Sequence, residues 1–128
     1  LLMVSMTTIP HPDRDQITLA NVLAALADDT RLAILAYLAD REERSAMCAS
    51  FHHITTKSNL TYHVAKLREA GVVRVTPEGT RRLISLRRED LDALFPGLLD
   101  TIIAGIPEDT RAVALNILAE VHEVRAAL

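Results

Sequence analysis

The sequence predicts a mainly α, α+β domain in which packed helices carry one short antiparallel hairpin. Three observations lead there. Leu60, Val64 and Leu67 recur at helical spacing and are followed by Gly71, which marks one helix with a buried stripe and a glycine stop. Val72, Val73 and Val75, a turn over Pro77 to Gly79, and then Leu83, Ile84 and Leu86 read as two short strands joined tightly. Hydrophobic residues make up 49% of the 128 positions, yet there are only two Phe, two Tyr and no Trp, so the core is aliphatic and suits packed helices. The length fits one ordinary domain.

Along the chain, residues 1–14 contain Pro10 and Pro12 without periodicity and are expected to form a flexible arm, with Met6 an alternative start. From Gln16 an apolar helix of about three turns carries Ile17, Leu19, Ala20, Leu23 and Ala24, and stops at Asp28-Asp29. Thr30 is placed to cap a second helix, with Leu32, Ile34, Leu35 and Leu38 inward and the two aspartates favourable at its N-terminal end. Arg41-Glu42-Glu43-Arg44 is a charged link. Ser45 to His52 reads as a short helix with Met47 and Phe51 four apart, and His53-Ile54-Thr55 as a brief turn. Thr55 or Thr56 then caps the helix ending at Gly71.

Short helix, turn and second helix make a helix-turn-helix, and the hairpin after it makes a two-stranded wing. Beyond the wing, Arg88 to Leu94 reads as a short helix broken by Phe95-Pro96-Gly97, Leu98 to Ala104 as a further apolar turn or two, and Pro107 to about Ala127 as a final helix. Its Val113, Ile117, Val121 and Val124 line one side. So small a domain cannot easily bury that surface and the first helix together, so these terminal helices are expected to form a homodimer interface, with packing inside one chain as the alternative. The expected division is residues 1–14 as arm, 15–95 as a winged helix-turn-helix domain, and 96–128 as a helical dimerisation extension.

The helix before Gly71 turns Ser58, Asn59, Tyr62 and Lys66 away from its apolar stripe, with Thr61 and Ala65 at the edges. Hydroxyls, an amide, a phenol and lysine can donate to phosphates and base edges. Ser58, Asn59, Thr61 and Tyr62 are therefore candidate readers of bases or adjacent phosphates, Lys57 and Lys66 candidate phosphate contacts, and Arg81 and Arg82 candidate wing contacts. The net charge of −3 conceals an uneven distribution: Lys57 to Arg88 holds eight basic residues against two acidic ones, a local +6, leaving −9 elsewhere. A basic segment on an acidic body is the footprint of a domain that meets DNA with one side, although a merely solvated surface would look similar.

Leu26-Ala27-Asp28-Asp29-Thr30-Arg31-Leu32-Ala33-Ile34-Leu35 resembles the opening of ArsR-type winged helix-turn-helix transcriptional regulators. Lys57-Ser58-Asn59-Leu60-Thr61-Tyr62-His63-Val64-Ala65-Lys66-Leu67-Arg68-Glu69-Ala70-Gly71-Val72-Val73 is similar to their recognition helix and its exit. The resemblance spans about residues 17 to 99 and rests on two motifs and a hairpin in the right order. It implies a cytoplasmic bacterial homodimer on a pseudo-palindromic double-stranded DNA operator, repressing until a small-molecule inducer loosens it.

The family's metal sites are not matched. Where one site needs Cys-x-Cys, Cys48 stands between Ala46 and Ser50; where the other needs Asp-x-His and His-x-x-His/Glu, Asp100 precedes Ile102 by two and His122 precedes Arg125 by three. Neither soft thiolate pairs nor clustered imidazoles are available, so no metal and no cofactor is expected. His52 and His53 diverge by about 100° if helical and rarely share a metal. His63 borders the buried stripe as a supporting histidine. Cys48 is either a buried inert thiol, the commoner case, or a redox-active one if exposed with a depressed pKa.

A single cysteine excludes an internal disulfide and fits a reducing cytoplasm. No apolar run approaches the roughly 20 residues a membrane span needs, and no secretory signal is read at the start. A glycine-rich phosphate loop and a nucleophile elbow are both missing, which argues against an enzyme. The alternative reading is a winged-helix module that binds protein through its apolar C-terminal region; less favoured is a metal- or redox-responsive sensor.

Overall fold

The computed structural model describes residues 9–41, 45–47, 51 and 53–114. A 3-10 turn, Arg14–Gln16, precedes helix α1, Leu19–Leu26, whose Thr18 hydroxyl accepts from the Asn21 backbone N–H at 3.2 Å. Helix α2, Asp29–Asp40, is capped by Asp28 rather than by Thr30: its carboxylate accepts from the Arg31 N–H at 3.1 Å. An aspartate at this position both binds the free N–H and sits in the positive end of the helix dipole, an advantage threonine lacks. Every residue from Ala33 to Leu38 is buried, so α2 is surrounded on all sides and forms the centre of the core.

Ser45–Met47 is a strand, β1, and not the start of a helix. It pairs antiparallel with β3, Ser45 opposite Ser85 and Met47 opposite Leu83. The free edge of β3 supplies backbone partners that outweigh the helical preference of Ala46 and Met47, which is a tertiary override of local propensity. The rest of the expected short helix, apart from the buried Phe51, lies outside the described residues, as does Cys48.

Helix α3, Lys57–Ala70, follows, capped by Thr56, whose hydroxyl accepts from the Asn59 N–H at 3.3 Å. Leu60, Val64, Leu67 and Ala70 are buried as the period required. Gly71 ends α3 at φ +86°, and Val72 N–H reaches back to the Leu67 carbonyl at 2.9 Å. A Cβ at Gly71 would stand 2.5 Å from Ile17 Cγ1, so the position needs glycine both for its dihedral and for space.

Strands β2, Val73–Glu78, and β3, Arg81–Leu86, form the expected hairpin. Their register pairs Val75 with Ile84 and Glu78 with Arg81, so the loop shrinks to Gly79-Thr80, with Pro77 and Glu78 inside the strand. With β1 the sheet has three strands in the order β1-β3-β2.

Helix α4, Arg88–Leu94, and helix α5, Leu98–Gly105, close the domain. They are clipped together by Arg88, which contacts Asp92 at 3.1 Å and Asp100 at 2.6 Å. Residues 108–114 are again helical, with Ala114 buried and Val113 half exposed; the rest of the expected final helix, including Ile117, Val121 and Val124, lies outside the described residues. The layout is a mainly helical α+β winged helix-turn-helix. Ile34, Leu35, Leu38, Phe51, Leu60, Leu67, Val72, Val73 and Ile84 make one shared core, and Tyr37 meets Phe51 edge-on with ring centroids 5.0 Å apart.

Candidate nucleic-acid interface

Burial of Leu60, Val64 and Leu67 fixes the rotation of α3, and that rotation decides what the helix shows to solvent. Lys57, Ser58, Asn59, Thr61, Tyr62 and Lys66 are all exposed, Tyr62 to 55%. The six α3 positions predicted from sequence are thus all exposed on one helix, spread from one flank across its outward side to the other. Lys66 Nζ lies 5.5 Å from the Tyr62 ring centroid, one turn away, so the ammonium and the phenol form a single unit. Thr61 differs from its neighbours, because its hydroxyl donates to the Lys57 carbonyl at 3.1 Å and is left to act as an acceptor. Glu69, on the last turn, adds a carboxylate to this otherwise polar and basic side.

Arg81 and Arg82 are exposed at the tip of the hairpin, as is Arg74 further down β2. Consecutive strand residues point to opposite faces, so Arg81 and Arg82 project on opposite sides of the wing. At most one of them faces α3.

The two flanks of α3 are built differently. At about 100° per residue, Lys57, Thr61 and Arg68 lie on one flank and His63, Lys66 and Ala70 on the other. On the first flank residues 9–13, expected to be loose, are tied down. The Arg68 guanidinium donates to the Pro10 carbonyl at 2.5 Å, the Val75 N–H donates to His11 Nε2 at 2.9 Å, and the Arg87 guanidinium donates to the Pro12 carbonyl at 2.8 Å. β2 is a sheet edge, and His11 satisfies an N–H that the ladder leaves open. Accepting that bond requires His11 Nε2 without a proton; burial first, and then the Arg74 cation, push the imidazole below its ordinary pKa and favour that form. Asp90 anchors the end of the strap through Arg14 at 2.7 Å and Arg87 at 2.8 Å, and chiefly the Arg14 hydrogen bond holds its carboxyl below the usual range.

On the second flank a groove of about 480 Å³ opens between α1 and α3, lined by Asn21, Ala24, Ala25, Arg31, Tyr62, Lys66, Glu69 and Ala70. Arg31 is held there by Nε donating to the Ala25 carbonyl at 2.5 Å and by Nη1 donating to His63 Nδ1 at 3.1 Å. His63 is the supporting histidine expected, with Asp28 Oδ2 3.8 Å from the same nitrogen. Sequence reading missed Asn21 and Arg31. The Arg31–His63 contact joins residues 32 apart, and no local period signals it.

Among the described residues no group of three or more His, Cys, Asp or Glu side chains is placed to hold a metal ion, and no helix is long and apolar enough to cross a membrane.

Residues 26–76 match the helix-turn-helix domain family, a span that runs from the end of α1 through α3 and into β2. Over 100 residues the sequence is 32% identical to YceK of Bacillus subtilis (strain 168), described as an uncharacterized HTH-type transcriptional regulator. That match covers 77% of this chain and 97% of YceK.

Proposed function

Since this chain belongs to the HTH-type transcriptional regulators, a group of DNA-binding and non-enzymatic proteins, we propose that it is a homodimeric repressor of the ArsR type that reads a pseudo-palindromic operator with α3. The observation that carries the reading is the outward side of α3: a capped N-terminus followed by exposed Lys57, Ser58, Asn59, Thr61, Tyr62 and Lys66.

In this reading α3 enters the major groove with its N-terminal residues nearest the bases. Ser58, Asn59, Thr61 and Tyr62 meet base edges or adjacent phosphates. Asn59 suits a bidentate pair with adenine, because its amide offers a donor and an acceptor side by side. Lys57 and Lys66 neutralise phosphates, and Arg81 or Arg82 reaches the backbone or the minor groove beside the wing. Dimerisation through the terminal helices is supported by three large apolar residues left half exposed there, Leu19 at 46%, Leu23 at 45% and Val113 at 50%. The reading invokes no metal as inducer, since neither family metal motif is present in the sequence.

The test is fluorescence anisotropy with the DNA upstream of the protein's own gene and a scrambled control, across a salt series. The reading predicts preference for the upstream DNA and a log–log salt slope of about −0.9 per phosphate neutralised. In the same assay Asn59→Ala should cost about 1–3 kcal/mol on the preferred DNA and almost nothing on the control. Equal losses on both would remove Asn59 from base reading. Weak, equal binding to every DNA tried, including pools selected from random sequence, would favour the protein-binding module instead.

A further inference from the structure

We propose that the groove between α1 and α3 seats a backbone phosphate of duplex DNA, gripped by Arg31 and Lys66 with Asn21 at its rim. The inference rests on α3 entering the major groove and adds Arg31 to the backbone contacts, on the flank away from residues 9–13. The major groove is about 12 Å wide and a helix with its side chains about 10–12 Å across, so a helix seated there has a phosphate strand along each flank. On one flank α3 is backed by residues 9–13 and β2, through the Arg68–Pro10 and Val75–His11 bonds. On the other, the protein presents this groove.

The state of Arg31 points to an external anion. Arg14, Arg87 and Arg88 each pair with an aspartate. Among the described residues no carboxylate lies within ion-pair distance of Arg31. Its guanidinium is aimed instead at the Ala25 carbonyl and His63 Nδ1. These fix its direction, and the Asp28 carboxylate stands 3.8 Å from that His63 nitrogen rather than on the guanidinium, so the remaining N–H groups of the fork are left for a phosphate. Lys66, steadied over Tyr62, brings a second cation to the same groove. Glu69 lines it as well and offsets one of the two. A net charge of +1 suits a phosphodiester, which carries one negative charge, better than a free phosphate carrying more.

The full-length chain is tested on random-sequence duplex DNA, because a backbone contact is independent of sequence. Arg31→Gln should weaken binding several-fold and reduce the magnitude of the salt slope by about 0.9 for each phosphate no longer neutralised. Asn21→Asp is the second variant. An acid in the first turn of α1 suits that helix end, so folding is kept while a negative charge enters the groove; affinity should again fall. An unchanged slope for folded Arg31→Gln, with wild type still binding steeply, overturns the phosphate seat and leaves the reading of α3 intact. If Arg31→Gln fails to fold, undiminished affinity in Asn21→Asp overturns the seat on its own. Loss of salt-dependent binding in wild type itself would instead overturn the DNA reading of α3. Inorganic phosphate that raises the melting temperature of wild type but not of Arg31→Gln would overturn the diester assignment in favour of a free-anion site.

Discussion

At its base the β2–β3 hairpin buries Val73, Val75, Ile84 and Leu86, whereas every residue from Thr76 to Arg82 is exposed at its tip. The base is pinned from outside as well, by β1 along β3 and by His11 on β2. The tip is closed by a two-residue loop, Gly79-Thr80, and carries Arg81 and Arg82 into solvent. One element thus divides its work: apolar alternation at the base fixes where the wing stands, and freedom from packing at the tip leaves its cations available to a partner. Substitutions at the two ends should therefore separate stability from DNA affinity.

The largest effect is expected at Ile84, which is fully buried opposite Val75. Ile84→Ala should lower unfolding free energy by about 2–5 kcal/mol, from lost transfer energy and the cavity left behind. Urea unfolding measures this, and the salt slope of DNA binding by the protein that remains folded should not change.

At the tip the pattern reverses. Arg81→Ala and Arg82→Ala should stay within about 0.5 kcal/mol of wild type in stability. Whichever arginine meets the backbone should, on removal, reduce the magnitude of the salt slope by about 0.9 for each phosphate it had neutralised. Because the two side chains leave opposite faces of the strand, unequal effects would show which face of the wing meets DNA. A loss of stability like that at Ile84 would mean that base and tip do not divide their work in this way.

The smallest effect belongs to His11. Its folded pKa lies below its ordinary value of 6.5, so the folded state favours the neutral ring. The stabilisation is fully present above pH 6.5 and is lost as pH falls through the folded pKa. His11→Ala should therefore cost stability at about pH 7.5, and its difference from wild type should narrow as the pH is lowered toward about 5. A difference that is the same at both pH values would show that the Val75–His11 bond contributes nothing through titration.

How far the sequence revealed this arrangement depended on how local each cause was. The α3 stripe of Leu60, Val64 and Leu67, its Thr56 cap and its Gly71 stop are all contained in sixteen consecutive residues; stripe and stop are readable from the sequence alone, and the cap to within the pair Thr55 and Thr56. The hairpin is readable for the same reason, although its turn lies two residues later than Pro77 suggested. β1 reads as helix in the sequence because its reason for being extended is a partner strand nearly forty residues away. The strap on β2 rests on contacts spanning 58, 64 and 75 residues, and prolines without periodicity give no sign of them. Within the candidate interface, the outward residues of α3 follow from the inward ones. Arg31 does not, because its orientation is set by His63 and the Ala25 carbonyl rather than by any neighbour in a repeating pattern.

Whether α3 reads base sequence is decided by selection from random-sequence DNA, run in parallel with wild type and a Ser58→Ala, Asn59→Ala, Tyr62→Ala triple variant. Wild type should enrich a pseudo-palindromic motif, while the folded triple variant should bind DNA but enrich none. Enrichment of the same motif by the triple variant would contradict base reading by α3, and the reading surface would then have to lie elsewhere on the domain.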